Sequence, residues 1–285
     1  MSSLRLGIVG HGFVGKAMDK GFDKEVKKLV VDPIYGTNIN DLVKFKPEII
    51  FVCVPTPMNS DGSQDSSIVE DIFKKFGDKF HDIPLVLKST ILPDKLKKIS
   101  EDFNNLIYNP EFLREKFAEE DFINSPFVIL GGEKLLCEKV KKIYKKNSDC
   151  LTDNYIFTDI ESASLIKYTI NSFLASKVIF FNHINEIFEK SKTTERWENF
   201  ISYISMDERI GASHMMVPGH DGKKGFGGAC FTKDTAAMLN YSNSLGADFI
   251  LLNSVIQINN SIRNKYESLD QREIDQNVNY EFENK

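Results

Sequence analysis

Residues 4–15, LRLGIVGHGFVG, decide the fold, because an apolar run passes directly into the pattern GxGxxG and then into an amphipathic segment. The run Leu4–Val9 predicts a buried strand, and the residues after the glycines predict a helix. Gly10 permits a tight turn, Gly12 lets the backbone approach a pyrophosphate, and Gly15 lets the helix pack against the strand. The stretch therefore predicts a dinucleotide-binding turn formed by Gly10, His11, Gly12, Phe13, Val14 and Gly15, with the alternative of a glycine-rich turn that binds nothing.

An acidic residue stands where such a turn needs one. Asp32 ends the next apolar run, Leu29–Val31, twenty residues beyond Gly12. A carboxylate there accepts hydrogen bonds from both ribose hydroxyls of the adenosine and repels a 2′-phosphate. The pattern favours NAD over NADP.

The remaining pattern predicts an α/β domain followed by a helical one. Short apolar runs alternate with helical patterns, which predicts a Rossmann-type doubly wound parallel sheet; the runs are Leu4–Val9, Lys28–Val31, Ile49–Val54, Leu85–Leu87 and Phe127–Leu130. Helical patterns then follow at Glu161–Lys190, Trp197–Ile204, Thr232–Leu245 and Asp248–Tyr266. We expect a cofactor domain over 1–157, an all-helical central domain over 158–267, and a frayed polar tail over 268–285.

Composition excludes several classes of protein. The 285 residues carry a net charge of −5, which argues against a nucleic-acid partner. The apolar runs are far shorter than the ~20 residues of a membrane span, and the N-terminus leaves no room for a signal peptide, so we expect a cytoplasmic protein. The four cysteines lack the spacing of a metal site, and no metal is expected.

Two predicted strands end in hydroxyl-bearing loops. One loop is Val54-Pro55-Thr56-Pro57 and the other is Lys88-Ser89-Thr90. Ligands of a doubly wound sheet bind at the carboxyl ends of its strands. We expect the Thr56 hydroxyl to face the ligand crevice, with the alternative of a Pro-rich loop that merely ends a strand.

Three further segments place polar residues four apart, which on a helix is one face. In Asn109–Glu115, NPEFLRE, Pro110 suits a first helical turn and would stack Glu111 on Glu115. Inside the long helix, Lys167 and Asn171 lie beside an apolar stripe and need partners. In residues 225–234, GFGGACFTKD, Cys230 falls near a predicted helix N-terminus with Asp234 one turn on. A helix N-terminus and a nearby lysine lower the pKa of a thiol, which makes Cys230 a candidate nucleophile.

Seven motifs in this order resemble the UDP-glucose/GDP-mannose dehydrogenase family; they are GHGFVG from Gly10, VPTP from Val54, KST from Lys88, NPEFLRE from Asn109, IKYTIN around Lys167, DERIG from Asp207 and VPGHDGKKGFGGACFTKD from Val217. The resemblance implies NAD-dependent oxidation of C6 of a UDP-sugar to a carboxylate, with UDP-glucose to UDP-glucuronate foremost. It implies that Cys230 forms a thiohemiacetal and then a thioester.

The resemblance also implies a role for each remaining residue. Lys167 and Asn171 would stabilise the oxyanion, Asp234 and Thr90 would handle protons, and Glu111 would assist thioester hydrolysis. The implied cofactor contacts include Val54, Pro55, Thr56, Thr90 and Glu115. The implied substrate contacts are Glu111, Phe112, Leu113, Lys167, Asn171, Arg209, Phe226, Gly227 and Cys230.

Members of the family continue into a third domain that holds the nucleotide, so we expect a short form. We also expect a homodimer through the long helix, with Arg209 reaching the sugar nucleotide. Two alternatives stay open. One is a non-catalytic or partner-dependent relative that binds NAD, and the other is a 3-hydroxyacid or 6-phosphogluconate-type dehydrogenase, which does not use a nucleophilic cysteine.

Overall fold

A computed structural model describes residues 3–281, apart from the side chain of Glu115. The described chain divides into two compact units. The first unit takes residues 3–56 and 65–167, and the second takes 57–64 and 168–281.

The first unit is built on a seven-stranded sheet of order β2-β1-β3-β4-β5-β6-β7. All neighbouring strands pair in parallel except β5 and β6, which are antiparallel. The elements are β1 (Leu4–Val9), α1 (Phe13–Gly21), β2 (Val26–Val31), α2 (Ile39–Phe45), β3 (Ile49–Val52), α3 (Ser67–Phe76), β4 (Leu85–Leu87), α4 (Pro93–Asp102), β5 (Leu106–Tyr108), α5 (Ala118–Ile123), β6 (Val128–Gly131), α6 (Lys134–Asn147) and β7 (Tyr155–Thr158).

Helices cover both faces of this sheet. Every residue of β3 is buried, with Ile50 packing into the core cluster on one face and Phe51 into the cluster on the other. Continuous burial on both faces is the reason that the central strands are unbroken apolar runs. The predicted Rossmann-type doubly wound fold is confirmed.

The sequence does not predict the strands β5 and β7, and it predicts the wrong direction for β6. β5 is only three residues long, and β7 is an edge strand whose residues are half-buried or exposed, so neither produces a clear apolar pattern. β6 was expected to be parallel to its neighbour but pairs with β5 in the antiparallel sense. Such a reversal near the edge of a largely parallel sheet is common.

The second unit is helical. Its elements are the greater part of α7 (Ile160–Lys190), α8 (Trp197–Ser205), α9 (Ala229–Ser244), α10 (Ile250–Arg263) and α11 (Gln271–Asp275). The division between the units falls at 167/168, ten residues beyond the predicted boundary at 157/158, because Ile160 and Ala163 belong to the core of the first unit. Within residues 3–281, no helix has both the length and the apolar character needed to cross a membrane.

The predicted frayed tail is wrong for residues 268–281. A capping box between Asp270 and Glu273 starts α11 in this segment. Glu273, Val278 and Tyr280 are buried. The sequence looks like a solvated tail because the burial of its anchor, Glu273, depends on Gly228 and Arg263, which lie outside the segment.

Candidate active site

The glycine turn has the geometry that the sequence predicts. Gly10 has a φ of +88°, and a Cβ added there would lie 2.8 Å from the Cys53 carbonyl oxygen. A Cβ on Gly15 would lie 2.0 Å from the Gly10 carbonyl oxygen, so α1 passes too close to the turn for any side chain. A Cβ on Gly12 would meet no described atom within 4 Å. The turn therefore packs tightly on the protein side and stays open at Gly12.

The open side suits a dinucleotide. The N-cap of α1 is Gly12, which has no capping side chain, and a helix N-terminus favours a bound anion. The Asp32 carboxylate lies at the end of β2, where it accepts hydrogen bonds from the backbone N–H groups of His11 (2.7 Å) and Ile34 (3.0 Å). The His11 ring contacts the Tyr35 hydroxyl (2.8 Å) and Asp19 (3.2 Å). These residues fit the pyrophosphate and ribose of NAD.

The loops after β3 and β4 are tied together. The Thr56 hydroxyl donates to the Thr90 carbonyl oxygen over 2.9 Å, and the Ser89 hydroxyl donates to the Val54 carbonyl oxygen over 2.6 Å. The expectation that the Thr56 hydroxyl faces a crevice is wrong, because this buried hydroxyl satisfies a backbone carbonyl instead. Pro55 is exposed beside it.

The predicted helix over Asn109–Glu115 is also wrong. Residues 109–114 form neither helix nor strand, because carboxylates accept from the N–H groups that a helix would use: Glu111 accepts from Leu113 (2.6 Å) and Asp121 from Arg114 (2.7 Å). Only a 3₁₀ turn at Glu115–Phe117 follows. The prediction that Glu115 contacts the cofactor concerns a side chain outside the described part.

Lys88 is a buried cation for which the sequence predicted no role. Its Nζ donates to the Asn109 side-chain oxygen (2.9 Å), and the Tyr144 hydroxyl donates to the same oxygen (2.6 Å). Burial lowers the pKa of Lys88 to about 8. Its position directly after the apolar strand β4 is the signal that could have revealed it.

Lys167 and Glu111 form a buried ion pair in the first unit. The Lys167 Nζ lies 3.6 Å from a Glu111 carboxylate oxygen and donates to the Glu111 backbone carbonyl (2.5 Å). The same ammonium lies 5.1 Å from the ring centre of Phe112. The predicted need of Lys167 for a partner is met by the segment NPEF, and Leu113 follows it half-buried.

Asp234 is the centre of a second cluster, in the second unit. Asn171 donates to one of its carboxylate oxygens and Lys233 to the other, each over 2.6 Å. The carboxylate is almost fully buried. The predicted need of Asn171 for a buried partner is met by Asp234. Lys233, which follows Thr232 in the motif, was not singled out.

Cys230 is the second residue of α9 and is partly exposed. The other cysteines are buried. Burial raises the pKa of Cys53 to about 12 and that of Cys137 to about 11, and it also raises the pKa of Cys150. Such thiols are inert as nucleophiles. Cys230 alone among the four combines access to solvent with a helix N-terminus, which supports its choice as the nucleophile.

The glycine loop before Cys230 is fastened by side chains of α7 and α10. Asn182 accepts from the Gly225 N–H (2.9 Å), and Asn259 accepts from the Phe226 N–H (2.7 Å) while donating to its carbonyl. Arg263 packs so closely that a Cβ on Gly227 would lie 2.0 Å from its Nη2. Phe226, a residue of this loop, is therefore buried and held in place.

Arg209 lies in the segment between α8 and α9 of the second unit. Its side chain is 88% exposed and pairs with Asp207, two residues away. Lys177 of α7 donates to the carbonyls of Ile210 and Gly211, each over 2.9 Å, and so fixes the loop that carries Arg209. Of residues 3–281, no group of three His, Cys, Asp or Glu side chains could hold a metal ion.

Family models match both units. The NAD binding domain of the UDP-glucose/GDP-mannose dehydrogenase family matches residues 16–148, and the central domain of the same family matches residues 161–261. The chain belongs to this family. The first unit is thus the NAD domain of a UDP-glucose/GDP-mannose dehydrogenase family member, and NAD is its cofactor, as the glycine turn and Asp32 predicted.

Two proteins similar to this chain, one in sequence and one in structure, are named as UDP-glucose dehydrogenases. The chain is 30% identical to a UDP-glucose 6-dehydrogenase of Rickettsia felis, over 91% of this chain and 62% of that protein. It therefore spans about three fifths of the length of that relative. A UDP-glucose dehydrogenase structure from Pyrobaculum islandicum has a TM-score of 0.75 at 24% identity, covering 91% of this chain and 69% of that one.

The fold alone extends to other dehydrogenases. A 3-hydroxyisobutyrate dehydrogenase structure from Mycobacterium tuberculosis has a TM-score of 0.70 at 14% identity and is covered over 96% of its length. The pairing of a cofactor domain with a helical domain therefore does not select the substrate.

Proposed function

We propose that this chain oxidises the C6 alcohol of a nucleotide sugar to a carboxylate, with UDP-glucose as the foremost substrate and UDP-glucuronate as the product. One observation carries the proposal: the accessible Cys230 stands at the N-terminus of α9, one turn before the buried Asp234. A dehydrogenase that stops at a ketone has no use for a nucleophilic thiol, whereas oxidation from alcohol to acid does.

NAD, when bound, accepts hydride from C6. Asp234, with Thr90 and a water, receives the hydroxyl proton as the alcohol becomes an aldehyde. The Cys230 thiolate then adds to the aldehyde carbon, and the new oxyanion of the thiohemiacetal is stabilised by the Lys167 ammonium and the Asn171 amide. These two residues lie four apart on α7, which supports their action on one group.

In the second oxidation the remaining C6 hydride would pass to a second NAD, which leaves a thioester on Cys230. Water attacks the thioester carbon, the C–S bond breaks, and the carboxylate leaves with the thiol restored. Glu111 assists by taking a proton from that water. Its carboxylate already accepts the Leu113 N–H and lies near Lys167, so its position is fixed.

We also propose a homodimer through α7. Phe173, Phe180 and Ile187 recur every seven residues on this helix and are 64%, 58% and 62% exposed. A seven-residue repeat is one helix face, and large apolar side chains in such a stripe are typical of a helix packed on a partner. In that dimer Arg209, on the loop fixed by Lys177, would contact the sugar nucleotide of the second copy.

The activity is tested with a panel of UDP- and GDP-sugars and NAD, with uronate measured by mass spectrometry. We expect uronate from a UDP-sugar with the wild type and none with Cys230→Ala. Cys150→Ala, which removes a buried thiol, is the matched control and should retain turnover. Faster turnover of small hydroxyacids than of any nucleotide sugar would favour the 3-hydroxyacid dehydrogenase alternative, and tight NAD binding without turnover would favour the non-catalytic one.

The dimer is tested separately by sedimentation. Phe180→Glu should convert a dimer to a monomer, whereas Phe117→Glu, an exposed aromatic of the first unit, should leave the dimer intact. A wild type that sediments as a monomer would contradict the proposed dimer.

A further inference from the structure

Residues 268–281 pack against the first turn of α9, the turn that carries Cys230. Val278 and Tyr280 form an apolar cluster with Ala229, the residue before the cysteine. The Asn264 side chain donates to the Tyr280 carbonyl over 3.1 Å, and the Met58 N–H donates to the Gln276 carbonyl over 3.0 Å. The segment is thus part of the folded second unit.

Glu273 fixes the register of this segment. Its carboxylate is 1% exposed and accepts from the Gly228 N–H (2.9 Å) and the Tyr280 hydroxyl (2.6 Å). Arg263 lies 3.3 Å from the same oxygen. A carboxylate with this many fixed donors has one position, so the residue before it in α11 has little freedom as well.

That preceding residue is Arg272. Its Nη2 lies 4.0 Å from the Cys230 Sγ, within the range of a hydrogen bond to sulfur. Guanidinium carries its charge at every pH at which a protein folds. The contact therefore places a permanent positive charge beside the candidate nucleophile.

The other charged groups near this contact have partners of their own. Lys233 pairs with Asp234 on α9, and Arg263 pairs with Glu273 across the segment. Asp270 accepts the Glu273 N–H, and Asp275 accepts from Gln271. The donors to Asp270 and Asp275 are neutral, so these two carboxylates keep their charge, whereas Arg272 acts on the thiol through direct contact.

We propose that Arg272 is a further catalytic residue, whose guanidinium stabilises the thiolate form of Cys230. The proposal rests on the function proposed above, in which that thiolate attacks an aldehyde. Thiolate is the nucleophilic form, and a nearby cation favours it over the thiol. The C-terminal segment thereby contributes directly to the chemistry of the glycine loop.

The test is the rate at which iodoacetamide alkylates Cys230 as a function of pH, followed by intact mass spectrometry with Cys230→Ser as the background. It needs no substrate. Arg272→Gln should raise the pH midpoint of alkylation by about one unit, as expected for one charge about 4 Å away and partly screened by water. Arg272→Lys should fall between the two. Arg196→Gln, which removes an exposed arginine of the same unit, is the matched control and should match the wild type.

Two results would overturn the proposal. An unchanged midpoint in Arg272→Gln, with circular dichroism confirming the fold, would show that the guanidinium does not act on the thiol. Faster alkylation at every pH would show that Arg272 only covers Cys230. The shifted midpoint without turnover on any nucleotide sugar would refute the proposed function and leave the thiolate contact standing. Turnover of a nucleotide sugar together with an unchanged midpoint would support the proposed function and refute the role of Arg272.

Discussion

The buried pair of Lys167 and Glu111 gives the sharpest prediction about stability. Lys167→Met keeps the length and apolar stem of the side chain but removes its charge. The two charged atoms lie 3.6 Å apart, and the side chains are 4% and 7% exposed. At an effective dielectric constant of about 20, their attraction is about 4 to 5 kcal/mol.

The loss of unfolding free energy in Lys167→Met is smaller than this attraction, because the Glu111 carboxylate keeps one hydrogen-bond donor. Without Lys167 the Glu111 carboxylate still accepts the Leu113 N–H. Breaking a buried pair by removing one partner costs about 3 to 5 kcal/mol, and we expect the lower end, about 3 kcal/mol. The double variant Glu111→Gln/Lys167→Met should recover most of the loss, since no buried charge then stands alone.

Urea unfolding followed by far-UV circular dichroism measures the loss. The one tryptophan, Trp197, lies in the second unit, so its fluorescence reports that unit separately. Lys190→Met is the matched control, because it makes the same substitution in an exposed pair on the same helix and should leave stability unchanged. A loss below about 1 kcal/mol for Lys167→Met would refute the reasoning, because it is the loss typical of a surface pair.

Three further predictions concern other parts of the chain. Gly15→Ala should lower the melting temperature, because the added methyl group clashes with the Gly10 carbonyl. Gly12→Ala should have the melting temperature of the wild type but a lower NAD affinity in calorimetric titration. The pKa of Lys88 is lowered to about 8, so the unfolded chain holds this proton more tightly between pH 8 and about 10.5. The unfolding free energy of the wild type should therefore rise over that range relative to Lys88→Met, and a constant difference would contradict the cause. Glu273→Gln should cost about 2 kcal/mol and open the C-terminal segment to proteolysis, because it removes the charge of a buried acceptor while Arg263 keeps its ion pair with Asp221.

The sequence predicts those features of the fold that depend on local pattern. The strand Leu4–Val9 and the glycine turn are recognisable because burial on two faces requires an unbroken apolar run and the turn requires glycine at fixed places. β5 was missed because three residues carry too little pattern, and its place is determined by pairing with β4. The segment after it has a helical spacing but forms no helix, because Glu111 and Asp121 bind its N–H groups and this effect cannot be seen in the local pattern.

In the candidate site, too, residues in recognisable motifs can be predicted, and residues placed by tertiary contacts cannot. Cys230, Asp234, Lys167 and Asn171 could be singled out from motif and spacing, and the structure gives Lys167 and Asn171 the buried partners that they needed. Arg272 could not be singled out. It stands in a polar segment whose attachment depends on a glutamate that meets its partners only in the folded chain.

The most direct test of the central claim is the amount of NADH formed when a limiting amount of UDP-glucose is consumed to completion. Oxidation from alcohol to acid through a thioester on Cys230 releases two NADH for each sugar. We predict that ratio for the wild type, with no uronate from Cys230→Ala. A ratio of one, with an aldehyde or ketone as the product, would contradict the account.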